Sequence, residues 1–123
     1  MLVSSDYDEL KDAQMAIANL HTTKPSIYEK FINIIQLTRQ LQYGYQYMGA
    51  LLMDEEPSEF EPQFQDEYVL SIYHKEIEKL KDDERFPELK QLLNSYKQLS
   101  YANISKLALG ENPSALVGTT IIH

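Results

Sequence analysis

Apolar residues recur at intervals of three and four in four separate segments of the chain, which is the spacing of a helix face. The first segment begins at Asp6, which forms with Glu9 a pattern that resembles a capping box. Its apolar face consists of Leu10, Ala13, Ile17 and Leu20. The polar run 21–24 and Pro25 then end the pattern, so the sequence predicts a first helix over about residues 6–20.

The second segment carries the longest apolar stripe in the sequence. Ser26 and Glu29 form an S-x-x-E capping box directly after Pro25. The stripe that follows keeps heptad spacing and has one polar member: Ile27, Phe31, Ile34, Thr38, Leu41, Tyr45, Met48 and Leu52. The sequence therefore predicts one long helix over about residues 26–53, about 42 Å long at 1.5 Å per residue.

Two glycines, Gly44 and Gly49, weaken the second half of this predicted helix by about 1 kcal/mol each relative to alanine. The tyrosines of residues 43–47 also alternate with a period of two, so a strand is the alternative for this stretch. We favour the helix because a lone strand would have no partner elsewhere in the chain. Small residues on a helix permit close approach of a neighbour, and this is our interpretation of both glycines.

Two further helices follow a loop at residues 54–62 that is bracketed by prolines. The third is predicted from about Gln63 to Asp83. The fourth has Pro87 in its first turn and stops at Gly110, after which Pro113 prevents a restart.

These patterns predict an all-α fold. The expected architecture is a single helical domain over residues 1–110, resembling a four-helix bundle with the long helix at its centre. Residues 111–123 are expected to form a flexible C-terminal tail or to pack against a neighbouring subunit.

Composition fits one domain and excludes several kinds of chemistry. The chain has 123 residues, of which 43% are hydrophobic, and it contains no cysteine. A disulfide scaffold, a thiolate nucleophile and a cysteine-based metal site are therefore excluded. No apolar run reaches the ~18–20 residues of a membrane span, and the N-terminus lacks a signal-peptide pattern. We expect a soluble cytoplasmic protein with no membrane partner.

The net charge of −8 is concentrated between Arg39 and Lys75, a stretch without a single base. Its seven acids are Asp54, Glu55, Glu56, Glu59, Glu61, Asp66 and Glu67, and we call residues 54–67 the acidic segment. A block of one sign repels phosphate, so we expect no direct binding to nucleic acid. The segment is either a solvated loop, a docking patch for a basic partner, or a calcium loop, although the D-x-D-x-D-G pattern of a calcium loop is missing.

Motifs that carry catalytic chemistry are missing from the sequence. It has no phosphate-binding glycine loop and no nucleophile elbow. His74 and Glu78 are four residues apart and could share a metal, but Ser71 stands where an E-x-x-H di-iron motif needs a glutamate. We therefore expect no catalytic residue, no metal and no organic cofactor, with His74 at the surface or the edge of the core.

Tyrosine is unusually frequent, with nine tyrosines and no tryptophan. Three of them lie close together in the second half of the long predicted helix, where the other helices are least able to cover it. An uncovered apolar and aromatic patch usually marks an interface. We therefore expect a homodimer whose interface includes Tyr43, Tyr45, Tyr47 and Met48.

The order of features resembles the YlbF/YmcA family of small bacterial helical regulators. The resemblance is carried by residues 25–31 and 36–42 of the long predicted helix, by the stretch 82–89, and by residues 92–99 of the last helix. It covers roughly residues 10–108. It implies a non-enzymatic helical protein. Some members of the family act in complexes that adjust RNA processing, competence and sporulation. The cysteines that hold an iron–sulfur cluster in some members are missing here.

Two functional hypotheses follow from the sequence. The first is a non-catalytic helical protein that acts by binding another protein. The alternative is a small acidic immunity or phage-type inhibitor protein whose acidic loop, with Asp54, Glu55, Glu56, Glu59 and Glu61, docks on a basic target.

Overall fold

The computed structural model describes residues 2–41, 44–55 and 67–116, and within these ranges the chain is all-α, as the sequence predicts. A 3₁₀ turn at Lys97–Leu99 lies between the fifth and sixth helices. The helices are α1 (Leu2–Thr23), α2 (Pro25–Thr38), α3 (Gly44–Leu52), α4 (Glu67–Lys81), α5 (Phe86–Ser95), α6 (Tyr101–Ala108) and α7 (Pro113–Leu116).

The predicted apolar faces form one core. The whole predicted face of the first helix is buried, and α2 buries Ile27, Phe31, Ile34 and Ile35. Helix α2 packs on α4 and α1, whereas α6 packs on α1 and α3. Every helix from α1 to α7 contributes side chains to this core, which is why the described ranges share one packed interior.

The predicted long helix over residues 26–53 is wrong as a single element, because α2 and α3 are separate helices. The backbone N–H groups of Gln40 and Leu41 donate to the carbonyl oxygens three residues earlier, at 3.1 and 3.0 Å, which tightens the chain into a turn. Gly44 makes the corner possible, since a Cβ atom there would lie 2.3 Å from the carbonyl oxygen of Thr38. The heptad stripe nevertheless stays largely buried, because both helices face the same core.

The predicted fourth helix is also divided. Its break is at Ser100, whose φ of 71° lies in the left-handed region that favours glycine. The Ser100 hydroxyl accepts a hydrogen bond from the backbone N–H of Asn103 at 3.2 Å and so caps the start of α6.

Part of the predicted tail belongs to the fold. The Asn112 side chain accepts a hydrogen bond from the backbone N–H of Ser114 at 3.0 Å, and Pro113 begins α7. Leu116, only 3% exposed, joins the core, and α7 packs against α1. The folded part of the chain therefore extends at least to Leu116, and residues 117–123 lie outside the described residues, as do residues 63–66 of the predicted third helix.

Candidate functional site

The acidic segment begins at the end of α3 and ends at the first residue of α4. The structure describes three of its seven acids, Asp54, Glu55 and Glu67, and all three are exposed. The predicted loop acids Glu56, Glu59 and Glu61 lie outside the described residues. Both ends of the acidic segment are therefore attached to helices of the core.

Asp54 ends α3 in a conformation that usually requires glycine. Its φ is 56°, and the backbone N–H of Glu55 donates to the carbonyl oxygen of Ala50 at 2.8 Å, which is the long hydrogen bond of a Schellman motif. The Asp54 carboxylate accepts hydrogen bonds from Lys81 of α4 at 2.6 Å and from Lys90 of α5 at 3.2 Å. These two ammonium groups hold the pKa of the Asp54 carboxyl below its usual value.

Glu55 contacts the 3₁₀ turn and the first residue of α6. Its carboxylate lies 3.3 Å from the Lys97 ammonium group and accepts a hydrogen bond from the Tyr101 hydroxyl at 3.2 Å. Burial, reinforced by the Glu55 charge, raises the pKa of Tyr101 to about 12. The chain's own lysines thus compensate the first two acids of the acidic segment, through exposed pairs that contribute little to stability.

Two of the four predicted interface residues are buried, whereas the sequence predicts that they are exposed. Tyr47 is 5% exposed and Met48 is fully buried, so both lie in the core of this chain. The reason is the turn after Thr38, which places α3 against α4 and α6 of the same chain. Tyr45 is half-buried against the core, and Tyr43 lies outside the described residues. The assignment of Tyr47 and Met48 to an interface between two copies is therefore corrected.

Hydrogen bonds of polar groups link α2 and α3 to Tyr73 and His74 of α4. The Thr38 hydroxyl donates to the carbonyl oxygen of Ile34 at 2.7 Å and lies 2.9 Å from the Tyr73 hydroxyl. Because the single hydroxyl hydrogen of Thr38 goes to Ile34, Tyr73 donates to Thr38. Burial raises the pKa of Tyr73 above its usual value. His74, half-buried beside it, has its Nε2 atom 2.6 Å from the Tyr47 hydroxyl.

The pairing of Thr38 with Tyr73 predicts an asymmetric response to mutation. Thr38→Val keeps the side-chain shape but leaves the buried Tyr73 donor without this acceptor, which should cost about 1–3 kcal/mol. Tyr73→Phe should cost less, about 0.5–1.5 kcal/mol, because Thr38 keeps its bond to Ile34. Urea unfolding of both single variants and of the double variant measures this, and the double variant should lose less than the sum of the two. Strict additivity would contradict the hydrogen bond.

The surface of the described ranges carries open grooves. One, of about 520 Å³, lies where α2 begins and has Lys24 and Lys30 on its walls. Another, of about 370 Å³, lies between α1 and α5. Among the residues that the structure describes, no group of three or more metal-ligating side chains is placed to hold a metal ion. Over the same residues, no helix combines the length and the apolar composition that a bilayer crossing requires.

Comparison of the chain with protein-family models, with curated proteins and with solved structures gave no match. The resemblance to the YlbF/YmcA family therefore stays a prediction from the sequence.

Proposed function

We propose that this chain is a non-catalytic helical protein that acts by binding a partner protein, and that the acidic segment together with Tyr68 is the surface it uses. The observation that carries this proposal is the position of Tyr68. It follows Glu67 in the first turn of α4 and is 73% exposed, although it is a large aromatic side chain. Tyrosine is enriched at protein interfaces because it brings contact area together with a polar tip.

Charge defines the partner that would fit this surface. The lysines around Asp54 and Glu55 compensate two of the seven acids of the acidic segment, and among the described residues Glu67 is exposed beside Tyr68. A basic surface is drawn to such a block over long range. We therefore expect a partner whose docking surface is rich in lysine and arginine.

The attached ends of the acidic segment favour a second candidate, an acidic inhibitor. Asp54 and Glu55 are bound to α4, α5 and the 3₁₀ turn, and Glu67 begins α4. Fixing both ends of a segment lowers the entropy that is lost when it binds. An inhibitor uses such a segment to occupy the basic active or binding site of its target, whereas an adaptor holds its partner without blocking the partner's activity.

A partner pull-down with matched charge variants tests the proposal. In one variant the acids Glu56, Glu59, Glu61 and Asp66 are changed to their amides. In the control the exposed acids Asp8, Glu29, Glu78 and Glu84 are changed in the same way, so that the net charge is equal. We expect the first variant to lose a basic partner that the wild-type chain and the control both retain. Equal loss in both would mean that net charge alone drives the capture, and equal retention would exclude the acidic segment.

The role of Tyr68 has its own matched control. Met15 on α1 is the other large apolar side chain of the described residues that is strongly exposed, at 69%. Tyr68→Ala should weaken binding of the captured partner by about tenfold or more, the effect of a contact worth over ~1.4 kcal/mol. Met15→Ala should leave the affinity unchanged. Similar affinities for wild type and Tyr68→Ala in a titration calorimetry experiment would remove Tyr68 from the interface.

The homodimer remains part of the proposal, although its interface has changed. Of the predicted interface residues that the structure describes, Tyr45 is the one whose side chain is still partly exposed to solvent. Light scattering should give twice the chain mass of 14.3 kDa. Tyr45→Glu should return the mass to that of one chain. A wild-type mass of one chain would exclude the homodimer, and a dimer that survives Tyr45→Glu would place its interface elsewhere.

A further inference from the structure

We draw no further inference here: the strongest candidate, the open groove where α2 begins, with Lys24 and Lys30 on its walls, rests on a helix N-terminus and on cations already paired with the chain's own carboxylates, and its described lining holds no buried unpaired polar group that points to a ligand.

Discussion

Replacing Ile34 with alanine is expected to lower the free energy of unfolding by about 2–5 kcal/mol. Ile34 is 1% exposed and lies on the face of α2 that is buried with Ile27 and Phe31. The change removes buried carbon atoms and leaves a cavity that the surrounding helices can fill only in part. A domain of this size has only ~5–15 kcal/mol of stability in total, so the loss should be visible in urea denaturation followed by circular dichroism.

The same helix supplies a matched control. Ile32 is only partly buried, so Ile32→Ala should cost clearly less than Ile34→Ala. Leu41 belongs to the sequence stripe but lies half-buried in the turn after α2, and its replacement with alanine should also cost less. A loss below about 1 kcal/mol at Ile34 would mean that this face of α2 is not core.

A side chain at Gly49 is also expected to destabilise the fold, by about 1–3 kcal/mol for Gly49→Val. A Cβ atom at this position would lie 2.2 Å from the Cδ2 and Cε2 atoms of Tyr101, because the ring lies directly against the backbone of α3. The ring cannot move away cheaply, since it is packed against the core and its hydroxyl is bound to Glu55. The small gain in helix propensity from glycine to valine does not offset this clash.

A double-mutant cycle distinguishes this clash from a general effect of valine on α3. Tyr101→Ala removes the ring, so Gly49→Val should cost much less in that background than in the wild type. Gln46→Val, on the exposed side of α3, should change stability little. The free energies of unfolding come from urea titrations of the four variants and the wild type. Additivity of the changes at positions 49 and 101 within about 0.5 kcal/mol would show that the ring does not limit the space at Gly49.

The helix faces could be predicted from the sequence because each is encoded locally. Leu10, Ala13, Ile17 and Leu20 recur at helical spacing, and all four are buried. The interpretation of Gly49 as a point of close approach is also confirmed, by its contact with Tyr101. The break after Thr38 could not be predicted from periodicity, since the apolar stripe continues through the turn. What decides it is the close approach of the Gly44 and Thr38 backbones, which is a property of the folded chain.

The candidate site, like the fold, could be predicted from the sequence only in part. The cluster of acids is visible in the sequence itself. The lysines that bind Asp54 could not be predicted, because Lys81 and Lys90 are 27 and 36 residues away from it. Lys81 stands among neighbours of both signs, Lys79 and Asp82, so nothing in the local sequence indicates a bond to Asp54. The burial of Tyr47 and Met48 could not be predicted either. It depends on how many other helices cover α3, which no local pattern reports.

The corner between α2 and α3 also bears on how two copies of this chain could exchange parts. The heptad stripe from Ile27 to Leu52 suits a straight helix as well as the folded-back pair. If the corner straightened, α3 would leave α4 and α6 of its own chain, and the equivalent helices of a second copy would be its natural replacement. Such exchange is domain swapping, and its hinge would lie between Thr38 and Gly44. Gly44 therefore bears on assembly as well as on the turn, because the space it leaves beside Thr38 lets α3 pack within its own chain.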